Sequence, residues 1–381
     1  MPEDNNSYIY FDHAATTSPL QEVVSLYTEI STKYFANSSS SHRLGLDNSR
    51  LLSKARNDIL KSFRLTNHDL IFTSGATEAN NLALKGYMER YHLRGKHLII
   101  SSIEHPSVLN TANHLANLGY EVSIVPVRID GKVYLDDLKK EIKEDTILIS
   151  IMGVNNETGI IQNISEIATF IKKFPTISFH VDAVQAVGKV ELPYNDIDLI
   201  TVSLHKIGGL KGTGILLKRK NLELTPVLDG GGQEDGYRSG TNDLAMAVAD
   251  SIAIKEALKD INSKRQYVFD LVKPFYDYLS SRNDEVVINS TLDNPYIINI
   301  SFLHKKASVF AEFLSNNNIM VSTHSACSSK LDIGSPTLTA MGKDPILVKN
   351  TMRFSFSTEN KKEEIDRLIE VFEFGLKEIR G

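Results

Sequence analysis

The chain has 381 residues, with 42 lysines and arginines against 47 aspartates and glutamates, so its formal net charge is −5. This acidic balance disfavours a general nucleic-acid binder, whose affinity depends on clustered basic residues. The apolar fraction of 41% is typical of a globular protein, and the length predicts two domains. Cys327 is the single cysteine, which excludes an internal disulfide framework and a multi-thiolate metal site built by this chain alone.

The N-terminal residues resemble neither a secretion signal nor a membrane anchor. Glu3 and Asp4 stand where a signal peptide would carry basic residues. The apolar runs of the chain are far shorter than the roughly 18 residues that a membrane helix needs. We therefore expect a soluble protein that is located in the cytoplasm, with neither a membrane nor a nucleic acid as its partner.

Short β-branched runs alternate with amphipathic helical patterns through the first half of the chain. The predicted strands are residues 70–72, 97–101, 121–126, 147–152, 178–181, 198–203 and 214–218. Between several of them, apolar residues recur three or four positions apart, as in Ile164, Ile167 and Ile171. This alternation predicts an α/β fold with a mostly parallel sheet that is covered on both faces. Ligands of such sheets bind at the carboxyl ends of the strands.

The second half of the chain has a different pattern. Residues 242–278 are helical in pattern and lead out of the first domain. They are followed by predicted strands at 286–289, 296–302, 320–322 and 353–357, and by predicted helices from Ala307 and over 361–379. This mixture predicts a smaller α+β domain.

Three strand ends carry side chains that together suit one cofactor. Residues 73–78 (TSGATE) combine small residues and hydroxyls, which suits either a phosphate or an ordinary helix cap. Asp182 is either a cap or ion-pair residue or the partner of a protonated ring nitrogen. Lys206, before a glycine-rich turn, is either a solvated lysine or the amine of a Schiff base. Together these parts are the ones needed to hold pyridoxal phosphate as an electron sink.

Short motifs in a fixed order extend this interpretation to a family. They are residues 11–17 (FDHAATT), 73–78 (TSGATE), 104–105 (EH), 154–159 (VNNETG), 180–185 (HVDAVQ), 203–206 (SLHK), 238–241 (RSGT), 325–328 (SACS) and 353–355 (RFS). Over residues 10–357 the chain resembles the cysteine desulfurases of the class V, fold-type I pyridoxal-phosphate enzymes. The resemblance implies a large cofactor domain over 16–258, with a mostly parallel seven-stranded sheet. A smaller α+β domain, formed by 1–15 and 259–381, would carry the loop of the reactive cysteine.

The resemblance also implies roles for individual residues toward pyridoxal 5'-phosphate. Lys206 would form the Schiff base, Asp182 would keep the ring nitrogen protonated, and His105 would stack on the ring and assist proton transfer. The other implied cofactor contacts are Gln185 at the phenolate oxygen, Asn156 beside the ring and the substrate, and Ala76, Thr77, Ser203 and His205 around the phosphate. Thr241 would reach the phosphate of a neighbouring subunit, which implies a homodimer with shared sites.

For the substrate, the resemblance implies two contacts besides Asn156. Arg353 would hold the substrate carboxylate, because its planar fork of donors suits bidentate pairing. Asn37 lies in the second substrate-contact segment, where Ala36 and Ser38 replace the glycine and proline that are usual in the family. This difference affects the expected shape of that loop. No metal ligand is expected.

The implied reaction converts L-cysteine to L-alanine and leaves the sulfur on Cys327 as a persulfide. The attacking group is the Cys327 thiolate, because a neutral thiol is a poor nucleophile. Small polar residues surround Cys327, which favours an exposed loop over a buried position. The spacing from Cys327 to Arg353 is like that of the long-loop subgroup, which serves iron–sulfur cluster assembly or tRNA thiolation. With no second cysteine in the chain, the persulfide sulfur must pass to a small thiol or to an acceptor protein.

Three alternatives remain at this point. The nearest is a selenocysteine lyase, or another pyridoxal-phosphate lyase or aminotransferase of the same fold. A second is a sulfur-carrier subunit without catalytic activity, which the joint presence of Lys206, Asp182 and Cys327 disfavours. A nicotinamide-dependent dehydrogenase is disfavoured because no Gly-x-Gly-x-x-Gly motif follows the first predicted strand.

Overall fold

The computed structural model describes residues 8–323 and 334–379. Its strands, in chain order, are β1 (Ile9–Tyr10), β2 (His68–Thr73), β3 (His97–Ser101), β4 (Glu121–Val125), β5 (Thr146–Ser150), β6 (Ser178–Asp182), β7 (Leu199–Ser203), β8 (Gly214–Arg219), β9 (Val286–Ile288), β10 (Ile297–Phe302), β11 (Ile319–Met320) and β12 (Thr351–Ser355). The predicted strands are all found, displaced by at most a few residues at their ends. The two-residue strand β1 was not predicted, because it is too short to show an alternating pattern.

The helices follow the same chain order. They are α1 (Gln21–Lys33), α2 (Arg43–Ser62), α3 (Ala76–Asn81), α4 (Tyr87–Arg90), α5 (Pro106–Asn117), α6 (Leu135–Glu141), α7 (Ile164–Ile171), α8 (Leu244–Leu258), α9 (Ile261–Ser280), α10 (Ala307–Asn316), α11 (Pro336–Ala340), α12 (Pro345–Lys349) and α13 (Lys362–Glu378). A π-helical segment, Leu82–Gly86, joins α3 to α4. The predicted helical region 242–278 forms two helices, α8 and α9. Asp260 adopts a left-handed backbone conformation with φ of 49°, which interrupts the helical hydrogen bonds between them.

The large sheet has seven strands in the order β2-β8-β7-β6-β5-β3-β4. Its pairs are parallel except at β8, which runs antiparallel to both β2 and β7. The prediction of a mostly parallel seven-stranded sheet is therefore confirmed. Because β2, β6 and β7 point the same way, their carboxyl ends meet at one edge of the sheet.

Two apolar clusters cover the two faces of this sheet. Successive residues of a strand point to opposite faces, so Ile99 joins one cluster while Leu98 and Ile100 join the other. Every residue of β3, β5, β6 and β7 is buried. Burial on both sides explains why these strands are continuous apolar runs without polar alternation.

A separate apolar cluster lies around the antiparallel sheet β9-β10-β12. Phe275 of α9 and Phe372 of α13 pack there against Phe354 of β12. The N-terminal residues Phe11 and Ala14 belong to this cluster, and β1 pairs in parallel with β11. The division into 16–258 and 1–15 with 259–381 stays a prediction, with which this packing agrees.

Within residues 8–323 and 334–379, no helix is both long enough and apolar enough to cross a membrane.

Candidate active site

Three segments at the carboxyl edge of the large sheet form the floor of one cavity. Asp182 is the last residue of β6, and Lys206 ends the short 3₁₀ turn that follows β7. Residues 74–75 connect β2 to α3. The parallel direction of β2, β6 and β7 brings these segments together, as the sequence predicts.

The cavity has a volume of about 630 Å³. Most of the predicted site residues line it, namely Ala76, Thr77, His105, Asn156, Asp182, Gln185, Ser203, His205, Lys206 and Arg353. Thr241 lines a neighbouring pocket with Ser74 and Arg238. Asn37 is exposed and does not line the cavity, and its Oδ1 accepts a hydrogen bond from the backbone N–H of Ser39 at 2.8 Å. Cys327 lies outside the described residues.

One end of the cavity has the form of an anion cradle. Gly75 has a φ of 152°, a backbone that residues with a Cβ rarely adopt. A Cβ on Gly214 would lie 2.6 Å from the carbonyl carbon of Gly75, so a close approach of two backbones requires glycine there. The first N–H groups of α3 have no partner within the helix and point out of its N-terminus. Beside them, the Thr77 and Ser203 hydroxyls supply further donors.

Asp182 is held at the floor of the cavity by two hydrogen bonds. Its Oδ2 accepts from the Asn80 side-chain amide at 2.8 Å, and its Oδ1 accepts from the Val184 N–H at 3.0 Å. Asp182 is 5% exposed. Glu78 is the other carboxylate among the described lining residues, and it is paired with Arg238 at 2.9 Å. Asp182 is therefore the cavity carboxylate without an ion-pair partner in the described residues, and its pairing with a ring nitrogen stays a prediction.

Asn80 is a residue that sequence reasoning missed. Its side-chain nitrogen also lies 2.8 Å from the Ser107 hydroxyl, so it connects Asp182 to the start of α5. An asparagine inside a helix has no distinctive sequence signal. Its spacing of four residues after Ala76 places it one turn along from the cradle, but this spacing alone does not distinguish it from an ordinary helical residue.

His105 is the N-cap of α5, and one of its ring nitrogens is already occupied. Its Nδ1 accepts from the Ser107 N–H at 3.1 Å. Because Nδ1 is an acceptor there, the neutral ring carries its proton on Nε2. Burial lowers the pKa of His105, Asp182 opposes this effect, and Lys206 adds to it. The histidine is therefore neutral at neutral pH.

Lys206 is held by the chain segment at residues 11–17. Its Nζ donates to the Ala14 carbonyl at 2.7 Å and also to the Ala15 carbonyl. Thr17 fixes the lysine turn by donating its N–H to the His205 carbonyl at 2.8 Å and accepting from the Gly208 N–H at 2.9 Å. The motif at 11–17 thus builds the wall behind the lysine, a role that its residues do not reveal in the sequence.

Gln185 and Lys189 continue this wall. Gln185 Nε2 donates to the same Ala14 carbonyl at 2.9 Å, and its Oε1 accepts from Lys189 Nζ at 2.9 Å. Burial, with Lys206 and Arg353 nearby, lowers the pKa of Lys189 to about 7. Sequence reasoning did not single out Lys189, because a lysine four residues after Gln185 resembles an ordinary surface charge.

Arg353 lies at the other end of the cavity with several donors engaged. Its Nη2 is paired with Asp12 Oδ1 at 2.8 Å, and its Nη1 donates to the Asn156 carbonyl at 2.7 Å. Arg353 is 2% exposed, and its Nε has no hydrogen-bond partner. The guanidinium has five N–H groups, so donors remain for a small carboxylate.

A further carboxyl group, Glu104, directly precedes His105 in the chain and is buried. Its Oε1 accepts from the Ser101 hydroxyl at 2.5 Å and from the Met152 N–H at 2.8 Å. Burial raises the pKa of Glu104 to about 8. The group is therefore mostly protonated at neutral pH and adds little charge beside Asp182.

Comparisons with known proteins give the same family throughout. The family model described as aminotransferase class-V matches residues 9–368. A "NifS/IcsS protein homolog" of Lactobacillus delbrueckii subsp. bulgaricus is 37% identical over 96% of both chains. A "Cysteine desulfurase IscS" of Dictyoglomus turgidum is 35% identical over 98% of this chain and 95% of its own. A solved structure titled "NIFS-LIKE PROTEIN" superposes with a TM-score of 0.90 at 32% identity, covering 98% of this chain and all of that one. The chain therefore belongs to the aminotransferase class-V family and, within it, to the cysteine desulfurases.

Proposed function

We propose that the cavity at the carboxyl edge of the large sheet binds pyridoxal 5'-phosphate, as is general in this family, and that the chain desulfurates L-cysteine there. The observation that carries the proposal is the convergence of an anion cradle, a buried carboxylate and a lysine amine on one cavity. These three parts match a phosphate, a protonated ring nitrogen and an aldehyde carbon of one molecule. Their fit supports this cofactor over a nicotinamide.

Each part of the cofactor would have its own residues. The cradle at residues 74–77, with Ser203 and His205, would hold the phosphate. Asp182 would pair with the ring nitrogen, and the neutral His105 ring would cover one face. Gln185 would donate to the phenolate oxygen. Bound in this way, pyridoxal phosphate supplies an electron sink that makes the Cα proton of an attached amino acid acidic.

The protein groups divide the proton transfers between them. The neutral His105 ring carries its proton on Nε2, because Nδ1 accepts from the Ser107 N–H. It is therefore suited to donate a hydrogen bond from Nε2, and its Nδ1 lone pair is not free to remove a proton. Among the other basic groups of the cavity, Lys206 is the one that would meet the aldehyde carbon, so we assign it the removal of the substrate Cα proton. Arg353 would bind the substrate carboxylate with its remaining N–H groups.

Cys327 is proposed as the sulfur acceptor on the enzyme. Its thiolate would attack the sulfur of the bound cysteine, so that an S–S bond forms as the C–S bond breaks. The electron pair of the broken bond stays with the three-carbon product, which takes up protons and leaves as L-alanine. The balance is one cysteine and one thiol giving one alanine and one persulfide.

The Cys327→Ala variant tests this role. We expect it to keep the visible absorbance of the bound cofactor and to bind L-cysteine, and to release no sulfide in the presence of a reducing thiol. The wild type should release sulfide and alanine in equal amounts. The control is Lys206→Ala, which should lose the cofactor absorbance as well as the activity. Sulfide turnover by Cys327→Ala at the wild-type rate would refute the assignment.

The sulfur would then leave the chain. We propose an acceptor protein of iron–sulfur cluster assembly or of tRNA thiolation, since the single cysteine leaves no second thiol in the chain to take up the persulfide sulfur. Incubation with 35S-labelled cysteine and each class of acceptor distinguishes the two, because only the true acceptor becomes labelled at a rate that exceeds release to a small thiol.

A further inference from the structure

Lys189 is a buried lysine that the proposed chemistry does not use. It follows Gly188, which has a φ of 76° and lies against Ala257 of α8. The residue is 8% exposed and borders a second cavity of about 450 Å³ behind Lys206. In the described parts of the chain, no carboxylate lies within ion-pair distance of its nitrogen. Burial of an ammonium without an ion-pair partner costs free energy of folding, so the presence of a lysine here calls for a functional explanation.

The hydrogen bond from Lys189 and the one to the Ala14 carbonyl together hold the Gln185 amide in one orientation. Lys189 Nζ donates to Gln185 Oε1 at 2.9 Å. At the other end of the amide, Nε2 donates to the Ala14 carbonyl at 2.9 Å, and a carbonyl can only accept. With the amide reversed, its oxygen would face the carbonyl oxygen. The two contacts therefore fix the orientation of the Gln185 amide, which borders the cavity at the carboxyl edge of the large sheet and has one further N–H for a ligand.

The charges around Lys189 disfavour a permanent charge on it. The groups whose charges act on it are His13, His205, Lys206 and Arg353, all of them bases. Glu22, Glu256, Glu359 and Lys264 line the same cavity, and none of these carboxylates forms an ion pair with Lys189 in the described residues. Together with burial they lower the pKa of Lys189 to about 7. A neutral amine still donates to an amide oxygen. Lys189 can therefore support Gln185 without adding a third cation beside Lys206 and Arg353.

We propose that Lys189 is a positioning residue that acts through Gln185, orienting the amide N–H that meets the phenolate oxygen of the cofactor. This inference rests on the proposed cofactor site. The phenolate is stabilised as an anion by that donor. Without Lys189 the amide oxygen would be buried and unpaired, and the amide could turn away from the cavity.

The first test is a pH titration of the visible absorbance of the bound cofactor. In Lys189→Met we expect the midpoint to move up by about half to one pH unit, because the phenolate loses a fixed donor. Lys264→Met is the matched control. Lys264 borders the same 450 Å³ cavity as Lys189 and donates to the Glu256 carbonyl, with no contact to Gln185 among the described residues. The midpoint of the Lys264→Met variant should therefore stay at the wild-type value.

Two further variants separate positioning from a general loss of structure. Lys189→Gln keeps a donor, and its midpoint should lie between those of Lys189→Met and the wild type. In a Gln185→Met background, Lys189→Met should add no further shift, because the amide through which it acts is gone. Wild-type midpoints for both Lys189 variants, or an equal shift in the Gln185→Met background, would overturn the inference.

A second test uses the cofactor-free protein and unfolding by urea. The folded pKa of Lys189 lies below its unfolded value, so between about pH 7 and pH 10 the unfolded chain binds more protons and stability rises with pH. Relative to Lys189→Met, the unfolding equilibrium constant of the wild type should fall about tenfold per pH unit across this range. Groups common to both proteins cancel in the ratio.

The outcomes of this second test are distinct from those of the proposed function. A ratio that does not change with pH would show an ordinary solvated lysine and overturn the inference. A wild-type protein that never acquires cofactor absorbance would instead count against the proposed cofactor site, whatever the ratio.

Discussion

At the residue scale, the proposed substrate end of the cavity depends on one arginine, whose N–H groups are divided between protein partners and the expected carboxylate. Arg353 gives one N–H to Asp12 and one to the Asn156 carbonyl, which leaves the rest of its fork for a carboxylate. The pairing with Asp12 offsets the cost of burying the guanidinium. It also fixes the plane of the fork before any substrate arrives.

The Arg353→Lys variant should therefore bind cysteine weakly. A lysine keeps the charge, but its single ammonium lacks the planar fork of arginine. It therefore cannot contact Asp12, Asn156 and a substrate carboxylate at the same time. We expect the KM for L-cysteine to rise at least about tenfold with a smaller change in kcat, as measured by initial rates of alanine formation. The matched control is Arg219→Lys, whose ion pair with Asp198 lies outside the cavity. Equal KM values for both variants would contradict a substrate-binding role for Arg353.

Some site residues could be found from the sequence and others could not. Lys206 and Asp182 were predictable because each lies at or just after the end of a strand and has a side chain with few structural uses at that point. Asn80 and Lys189 were not, since each acts through another side chain and has an ordinary local pattern. Residues that contact a ligand directly often belong to a recognisable motif. Residues that orient those contact residues depend on neighbours that are distant in the sequence.

At the element scale, the turn at residues 155–159 holds the start of α11. Ser335 caps that helix by accepting from the Leu338 N–H at 3.0 Å, and its hydroxyl donates to the Glu157 carboxylate. Asn155 Nδ2 lies 3.2 Å from the Thr337 hydroxyl. Burial raises the pKa of Glu157, which makes its hydrogen-bond partner important. The turn that contributes Asn156 to the cavity thus also fixes the chain just after residues 324–333.

Ser335→Ala should be more destabilising than loss of a helix cap alone. It removes the cap and leaves the Glu157 carboxyl without this donor, for a loss of about 2 to 3 kcal/mol in the free energy of unfolding. Asp344→Ala is the control, because Asp344 caps α12 at an exposed position through the Ile346 N–H. The control should lose about 1 kcal/mol. Equal losses in urea unfolding would show that the Glu157 contact contributes nothing.

Element types were more predictable than element boundaries. The buried strands β3, β5, β6 and β7 were evident as apolar runs between turn residues. The π-helical segment Leu82–Gly86 was not predictable, because it accompanies a tight packing contact: a Cβ on Gly86 would lie 2.6 Å from the Thr225 carbonyl oxygen. Thr225 is distant in the sequence, so no local pattern records this approach.

At the scale of the whole molecule, the cavity draws on segments of both sheets. Asp182 ends a strand of the large sheet and Lys206 follows another, whereas Arg353 lies in β12 of the smaller sheet and Asp12 bridges to Ser355 at the end of that strand. The Arg353 contact with the Asn156 carbonyl joins the two groups of segments directly. The relative position of these segments therefore determines the distance between the cofactor site and the substrate carboxylate site.

The expected homodimer would share each cofactor site between two chains, and mixed dimers can test this sharing. If Thr241 serves the partner's phosphate, Lys206→Ala and Thr241→Ala chains should complement each other, since one of the two sites in a mixed dimer keeps both residues. At limiting cofactor, a random equal mixture should recover about a quarter of the wild-type activity. If Thr241 serves its own chain, every site in the mixture carries a defect and no activity returns. Each variant alone is the control.

The sequence by itself determined the fold class and the order of the strands along the chain, and it predicted residues that would touch the cofactor. The fold class follows from local patterns, namely apolar runs and turn residues, whereas most of the predicted cofactor contacts are implied by the resemblance to a family. Only the tertiary structure decided which ring nitrogen of His105 is occupied, which way the Gln185 amide faces and how many donors Arg353 has left. The physical reason is that hydrogen-bond direction and burial depend on groups that the fold brings together from distant parts of the chain. The sequence therefore identified the reactive groups, and the fold determined their protonation and orientation.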